Sequence, residues 1–276
     1  MRRLILLMAT MALAILMASG VAQAIINGEP DGNMHPYVGA LVTEVEGEEG
    51  QTEPVLLCSG TLISPTVFLT AGHCTDFLIE GNLPTYVSFD TTFVPGQSEL
   101  VSGTPYLHPD YCVGCGPPGV KWLPGYDVGV VVLDEPVVMD TYGSLPTSAN
   151  LVDTLQKRSP LTVVGYGAND FDTGGGSQQP IYPEIRQQAT TEYLGTQGIA
   201  NQVGEDVFMK TTGSGMGQGG EGTCYGDSGG PLFLEDQTTV VGVTSFGPTS
   251  AIPCSGPDYA QRVDLQVVLD WVSSFL

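Results

Sequence analysis

The chain has 276 residues, of which 8 are Lys or Arg and 30 are Asp or Glu, so its formal net charge is −22. A surface this acidic repels nucleic acid and anionic membranes, because recognition of phosphates needs Lys and Arg. Long disordered regions are also excluded, since 42% of the residues are apolar and fall in short, regular runs. A chain of this length can bury one large core or two small ones.

The first 24 residues predict a secretion signal. Arg2 and Arg3 give a positive start, an apolar run extends from Leu4 to Met17, and Ala22-Gln23-Ala24 matches the small-residue cleavage pattern. The alternative is an uncleaved membrane anchor, but the run is a little short to cross a bilayer. We therefore expect a secreted protein, extracellular or (in a Gram-negative bacterium) periplasmic, with no membrane association after cleavage. Its charge is then near −24, from 6 basic and 30 acidic residues.

Short runs of β-forming residues, broken by Gly, Pro, Asn and Asp, make up most of the chain after residue 24. Most span about four to eight residues and are rich in Val, Ile, Leu and Thr, a pattern typical of strands. The clearest runs are residues 37–42, 55–59, 66–70, 128–133, 161–165 and 239–245. The pattern predicts an all-β, mostly antiparallel sandwich or barrel.

Helical periodicity is confined to the C-terminus. There Val263, Val267, Trp271 and Phe275 recur at every fourth residue. This spacing predicts one amphipathic helix over about 263–276.

Polar and Gly-rich stretches are expected to be loops. Residues 43–54 are acidic, residues 169–180 are rich in Gly, and residues 140–160 lack strong strands and are expected to connect two halves of the chain. The acidic stretch lacks a recognised calcium-binding spacing, so a solvated face is expected there. Residues 211–222 contain a G-x-G-x-x-G pattern, but no helix pattern and no Lys accompany it, so nucleotide binding is not expected.

Ser228, in the run Gly226-Asp227-Ser228-Gly229-Gly230, is the candidate nucleophile. A serine hydroxyl needs a base within hydrogen-bond reach, and His is the side chain whose ordinary pKa suits that role near neutral pH. All of the chain's histidines precede this serine: His35, His73 and His108. The α/β-hydrolase fold, which also carries a G-x-S-x-G turn, places its His after the Ser and is therefore excluded.

Six motifs in one order resemble the chymotrypsin/trypsin family of serine proteases, and they span nearly all of the chain after residue 24. They are Ile25-Ile26-Asn27-Gly28, Thr70-Ala71-Gly72-His73-Cys74, His108-Pro109-Asp110-Tyr111, Tyr126-Asp127-Val128, Gly226-Asp227-Ser228-Gly229-Gly230-Pro231 and Thr244-Ser245-Phe246-Gly247. The resemblance implies a domain over 25–276 made of two packed, antiparallel six-stranded β-barrels. We expect the first over about 25–145, the second over about 155–262, and the helix after them.

The resemblance also implies the roles of the site residues. His73 is expected to be the general base and acid, Asp127 to orient it, and Ser228 to attack the substrate. The backbone N–H groups of Gly226 and Ser228 are expected to form the oxyanion hole. Asp127 suits its role because it begins an apolar run, where a buried carboxylate has few possible partners other than a dedicated one.

The family implies activation through a new N-terminus. The amine of Ile25 is expected to fold inward and pair with Asp227, and this pair shapes the oxyanion hole. Since the predicted signal cleavage falls after Ala24, signal peptidase itself is expected to release the activating amine, with no separate propeptide.

Six cysteines in an exported chain suggest disulfides, although sequence alone leaves 15 pairings open. The resemblance implies Cys58–Cys74 and Cys224–Cys254, and by elimination we expect a local Cys112–Cys115 bridge. One Cys pair cannot supply four zinc ligands without further residues, so no metal and no cofactor are expected.

Substrate recognition is expected to involve Gly222, Ser245, Phe246 and Gly247. Trypsin-like members carry an Asp six residues before the nucleophile, and Gly222 stands there in this chain. We therefore expect an apolar or aromatic P1 residue rather than Arg or Lys. Two acids complicate this expectation, because Glu221 and Asp258 both lie near the implied pocket.

The sequence thus predicts a monomeric serine endopeptidase that acts on protein or peptide substrates. Two alternatives remain: a non-catalytic binding protein on the same fold, since fold does not guarantee function, and an esterase that uses the same groups.

Overall fold

Strands dominate the structure, a computed structural model that describes residues 25–47, 50–114, 124–172, 178–196, 206–216, 220–247 and 252–276. In chain order they are β1 (Glu29–Pro30), β2 (Val38–Glu46), β3 (Thr52–Ser64), β4 (Val67–Thr70), β5 (Tyr86–Ser88), β6 (Val101–Leu107), β7 (Cys112–Val113), β8 (Pro124–Gly125), β9 (Gly129–Leu133), β10 (Pro160–Gly165), β11 (Asp170–Asp172), β12 (Gln179–Ile181), β13 (Gln187–Gly195), β14 (Phe208–Thr211), β15 (Pro231–Phe233), β16 (Val240–Phe246) and β17 (Asp258–Arg262). Each of the six runs predicted as strands lies largely within one of them.

The first barrel closes in the order β2-β3-β4-β9-β6-β5, with every pairing antiparallel. Its interior is filled by the apolar side chains that the strands point inward, such as Leu41, Leu62, Phe68 and Val130, all fully buried. Closure leaves this barrel itself without a free sheet edge.

The second barrel closes in the order β13-β10-β15-β16-β17-β14, because β14 also pairs with β13. Strand β1 adds to the outside of β13, with Glu29 opposite Gln188. The first residues of the domain, which the sequence assigned to the first barrel, therefore lie against the second. The predicted pair of six-stranded antiparallel barrels is confirmed.

Two α-helices occur in the described residues, α1 (Gly72–Gly81) and α2 (Gln266–Ser273), with a short 3₁₀ turn at Leu151–Thr154. The C-terminal helix is confirmed, but its buried residues are Val268 and Val272, whereas Val267 is 40% exposed. The helix α1 was not predicted.

The stretches 43–54 and 169–180 were wrongly predicted as loops over part of their length. Residues 43–46 extend β2 and residues 52–54 begin β3, so the acidic stretch is largely the arm of a long hairpin. Residues 170–172 and 179–180 likewise lie in the β11–β12 hairpin. Among the described residues, no helix is both long and apolar enough to cross a membrane.

A buried ion network joins the N-terminal segment to both barrels. The guanidinium of Arg186 is fully buried, and its Nε donates to Asp31 Oδ2 at 3.0 Å. The same guanidinium donates to the carbonyl of Val38 in the first barrel at 2.9 Å and to the hydroxyl of Tyr166 at 3.2 Å. The imidazole of His35 lies 2.5 Å from Asp31 Oδ1. His35 thus occupies a structural position away from the candidate site.

Candidate active site

Strand pairing brings His73 and Asp127 together. His73 is the second residue of α1, which follows β4, and Asp127 stands two residues before β9. Since β4 and β9 run antiparallel with Thr70 opposite Gly129, the segments beyond these two residues lie side by side.

The Asp127 carboxylate holds His73 by two hydrogen bonds. The backbone N–H of His73 donates to Oδ1 at 2.7 Å, and the ring Nδ1 lies 2.9 Å from Oδ2. Burial opposes a charged imidazole, but the carboxylate more than offsets it, so the pKa of His73 lies above its ordinary value. Burial likewise disfavours a charged Asp127, yet the histidine and Ser245 hold the pKa of Asp127 below its ordinary value. The pair therefore favours an oriented imidazole that accepts a proton readily.

The second barrel holds Asp127 from the opposite side. The hydroxyl of Ser245 in β16 donates to Oδ2 of Asp127. The side-chain oxygen of Gln261 in β17 accepts the backbone N–H of Asp127 at 2.9 Å, while its amide nitrogen donates to the carbonyl of Val207 at 2.9 Å. The preceding residue, Tyr126, has a φ of 47°, a left-handed conformation that bulky residues adopt rarely. Asp127 is therefore fixed at a strained turn by groups from both barrels.

Ser228 lies at the edge of a cavity with its hydroxyl uncommitted, since Oγ makes no hydrogen bond with any described residue. The backbone N–H groups of Gly226 and Ser228 have no acceptor in the described part of the chain either. Gly226 has a φ of 93°, and an added Cβ there would lie 3.0 Å from the Cα of Gly167. Glycine at 226 thus permits a turn that presents two free donors beside a free hydroxyl.

Asp227 points away from the cavity into the protein. Its carboxylate accepts the N–H of Gly167 at 2.8 Å and the N–H of Cys224 at 2.9 Å, and burial raises its pKa to about 8. The side chain of Ile25 is fully buried in the apolar cluster of the second barrel. Ile26 forms a β-bridge with Gly222, which holds the start of the domain against this loop.

The cavity beside Ser228 has a volume of about 390 Å³. It is lined by Thr223, Cys224, Tyr225, Ser228, Thr244, Ser245, Phe246, Gly247, Pro253, Cys254, Ser255 and Asp258. Three of the four residues expected to bind substrate are thus brought together at the cavity. Gly222 is not among the lining residues, and a Cβ there would lie 2.3 Å from the backbone nitrogen of Ser214.

The two acids near the implied pocket have different positions. Glu221 lies outside this cavity, and its Oε2 accepts the N–H of Thr190 at 2.9 Å. Asp258 lines the cavity, and its Oδ2 accepts the N–H of Thr223 at 2.8 Å. Burial raises the pKa of Asp258 to about 7, so this carboxyl is only partly ionised near neutral pH.

Disulfides Cys58–Cys74 and Cys224–Cys254 are present, the first beside His73 and the second in the cavity wall. Cys58, His73 and Cys74 lie close enough to suggest a metal site, but both thiols are consumed by the bridge and cannot ligate as thiolates. The expected Cys112–Cys115 bridge includes Cys115, which lies outside the described residues.

Two positions in the site escaped the sequence reasoning. Ser245 was expected only to contact substrate, yet it also bonds Asp127. Gln261 was not singled out at all. A polar residue between Ala260 and Arg262 is a weak signal for a buried amide, and its partner Asp127 is 134 residues away in the chain.

The chain and its fold are similar to known proteins. The family model described as Trypsin matches residues 25–272. A trypsin from Saccharopolyspora erythraea is 30% identical over 255 residues, which cover 86% of this chain and 92% of that protein. The snake venom serine protease serpentokallikrein-1 of Protobothrops mucrosquamatus is 28% identical, over 94% of this chain and 90% of its own. Spermosin of Halocynthia roretzi is 26% identical, and the match spans only 60% of its length.

A solved structure shares the fold. The structure titled HL collagenase superposes with a TM-score of 0.62 over 91% of this chain and 97% of its own, at 22% sequence identity. Together with the family match, these similarities identify the chain as a member of the trypsin family of serine endopeptidases.

Proposed function

We propose that the chain hydrolyses peptide bonds through an acyl-enzyme intermediate, with Ser228 as nucleophile, His73 as general base and acid, and Asp127 as its orienting partner. The observation that carries the proposal is the unbonded hydroxyl of Ser228 beside two free backbone N–H groups, in a molecule where the buried carboxylate of Asp127 also orients His73.

In the first half of the reaction, Ser228 Oγ attacks the peptide carbonyl carbon and its proton passes to Nε2 of His73. The carbonyl oxygen becomes an oxyanion that the N–H groups of Gly226 and Ser228 stabilise. When the C–N bond breaks, His73 gives this proton to the leaving amine. A water molecule then attacks the acyl-enzyme by the same route, and Ser228 regains its proton.

A fluorophosphonate probe tests the nucleophile. We expect stoichiometric labelling at Ser228 in the protein beginning at Ile25, and none in Ser228→Ala or after unfolding. The matched control is Ser255→Ala, which removes a hydroxyl from the far part of the same cavity wall. Absence of labelling in the folded wild-type protein favours the non-catalytic binding protein. Labelling with ester turnover but no peptide turnover favours the esterase.

We further propose that the P1 pocket prefers apolar or aromatic side chains to Arg or Lys. Gly222 brings no charge, and the raised pKa of Asp258 leaves its carboxyl largely neutral at mildly acid pH. Profiling the mature enzyme with a P1-randomised peptide library at pH 6 tests this. Cleavage mainly after Lys or Arg contradicts the proposal.

Secretion and activation are proposed to be one event. Removal of residues 1–24 creates a positive amine at Ile25. A charge pair between this amine and Asp227 would offset the cost of burying an ionised carboxylate, which is what raises the pKa of this acid. Mass spectrometry of the exported protein should find Ile25 as its first residue, active without further cleavage. Variants that keep one extra residue before Ile25 should label slowly with the fluorophosphonate. A different first residue in fully active protein contradicts the proposal.

A further inference from the structure

Ser59, in β3 of the first barrel, reaches across to the loop that carries Ser228. Its side chain is fully buried, and its Oγ donates to the carbonyl of Gly226 at 2.9 Å. The same Oγ accepts the backbone N–H of Tyr166 at 3.0 Å. Because a hydroxyl has one proton, acceptance from Tyr166 leaves that proton committed to Gly226.

These bonds fix one peptide plane. The carbonyl of Gly226 and the N–H of Asp227 belong to the same peptide, and this N–H donates to the carbonyl of Cys224 at 3.0 Å. Ser59 therefore holds one side of the plane and Cys224 the other. The Ser59 backbone adds a further tie, since its N–H donates to the carbonyl of Ser228 at 2.8 Å.

Three consecutive backbone N–H groups of the second barrel also take part in this network. Those of Tyr166, Gly167 and Ala168 donate to Ser59 Oγ, Asp227 Oδ1 and the carbonyl of Tyr225, respectively. Among the described residues, Ser59 is the one residue of the first barrel whose side chain takes part in these bonds to the loop around Gly226. Without its hydroxyl, the buried N–H of Tyr166 and the partly buried carbonyl of Gly226 would each lose this hydrogen-bond partner.

We propose that Ser59 is a positioning residue for the oxyanion hole: its hydroxyl holds the Gly226–Asp227 peptide so that the N–H groups of Gly226 and Ser228 converge on the substrate oxygen. The inference rests on the proposed function of Ser228. It acts through the loop, not through His73, so it affects stabilisation of the transition state and leaves proton transfer unchanged.

The test is Ser59→Ala, with Thr61→Val as the matched control. Thr61 lies two residues along the same strand, so its side chain shares the same face, and its buried hydroxyl has no hydrogen-bond partner. Fluorophosphonate titration of both variants counts the folded, reactive sites, and every rate is expressed per titrated site.

We expect Ser59→Ala to lose about 10–100-fold in kcat with KM unchanged, less than the loss of a whole oxyanion donor, while Thr61→Val matches the wild type. A peptidyl trifluoromethyl ketone, whose hemiketal oxygen occupies the oxyanion position, should lose affinity in proportion to kcat/KM. A cleaved peptide product should bind unchanged, and the acidic limb of the pH profile should not move.

Two results overturn the inference. One is a per-site kcat in Ser59→Ala equal to that of the wild type. The other is an equal loss of affinity for the ketone and the product peptide, which indicates general damage to the pocket. If the wild-type protein fails to react with the fluorophosphonate, the proposed function falls and this inference with it. A reactive wild type with an indifferent Ser59→Ala overturns the inference alone.

Discussion

The side-chain oxygen of Gln261 accepts the backbone N–H of Asp127 across the junction between the two barrels, at 2.9 Å. The acceptor is fully buried in β17, and the donor follows a residue held in the left-handed conformation. Together with the Ser245 hydroxyl, this contact makes the position of one barrel's acid depend on two strands of the other. Ser59 makes a contact in the opposite direction, from the first barrel to the loop that carries Ser228.

Replacement of Gln261 by Leu should therefore affect proton transfer. Leu has a similar volume but cannot accept the Asp127 N–H, so the carboxylate is less well aligned with His73. We expect about a tenfold fall in kcat per titrated site with KM nearly unchanged, because misplacement of an orienting group slows the chemical step. A weaker Asp127–His73 bond should also move the acidic limb of kcat/KM to lower pH.

The pH profiles of Gln261→Leu and Ser59→Ala distinguish the contact to Asp127 from the contact to the loop that carries Ser228. Gln261→Leu should shift the acidic limb, whereas Ser59→Ala should not. An unshifted limb with normal kcat in Gln261→Leu would show that the amide serves stability alone.

Asp258 should make P1 preference depend on pH. Burial raises its pKa to about 7, so the carboxyl is neutral below that pH and becomes an anion above it. The kcat/KM ratio of a substrate with P1 Phe to one with P1 Lys should fall as pH rises from 6 to 8.5. His73 ionisation cancels in this ratio because both substrates use the same base.

Asp258→Asn provides the control, since it keeps the shape of the side chain and removes the charge. Its Phe-to-Lys ratio should stay flat with pH. A ratio that still falls in this variant would assign the pH dependence to a different group.

Loss of the Asp31 charge should destabilise the protein strongly. Asp31→Asn leaves the fully buried guanidinium of Arg186 without its carboxylate, a defect that costs about 3–5 kcal/mol. Glu192→Gln is the matched control, because Glu192 pairs with a 70% exposed Arg158 and such pairs contribute about 0–1 kcal/mol. Urea unfolding at pH 7 measures both, and equal midpoints would contradict the expectation.

The same network sets an acid limit. Burial alone would raise the pKa of Asp31, but His35 and Arg186 hold it below the ordinary value of 3.8. A carboxyl with a lowered folded-state pKa contributes stability that is complete above its unfolded pKa and lost as pH falls through the folded value. The stability difference between the wild type and Asp31→Asn should thus shrink as pH falls below 4.

Salt should stabilise the molecule. The domain carries 30 acidic residues against 6 basic ones after removal of the first 24 residues, and both Arg186 and Arg262 are committed to buried ion pairs. Like charges on the surface repel, and salt screens this repulsion over about 10 Å at 0.1 M. The melting temperature should rise by several degrees between 0.01 and 0.5 M NaCl. Sucrose at equal osmolality controls for solvent exclusion, and a falling melting temperature would contradict the argument.

The sequence was most informative where chemistry restricts the choice of residue. The position of all three histidines before Ser228 predicted the order of the candidate catalytic groups, and the apolar run after Asp127 marked a buried strand. Short runs rich in Val, Ile, Leu and Thr were located well as strands. The gross fold could thus be predicted, whereas the role of Ser228 stays a prediction.

Local features that depend on tertiary contacts could not. The helix α1 buries Cys74, Thr75 and Leu78, a set with too few apolar residues to give a periodic signal. In the C-terminal helix, Val267 and Val268 are equally apolar, and only packing against the barrels decides that Val268 is buried. Gly226, which Ser59 contacts, and Asp127, which Gln261 contacts, each lie more than a hundred residues away, so no local pattern reports these contacts.

Each of the two described disulfides closes a loop within one barrel, Cys58–Cys74 in the first and Cys224–Cys254 in the second. Neither joins the halves, so a single backbone cut in the connection near Val138, which is 84% exposed, would leave two pieces that neither of these described disulfides links. The pieces would still interlock, because β1 of the leading piece pairs with β13 of the trailing one. Such a nicked molecule would migrate as one particle in native buffer and as two fragments in detergent without reductant. After such a cut, noncovalent contacts alone would hold the two barrels together, while the candidate site still needs groups from both.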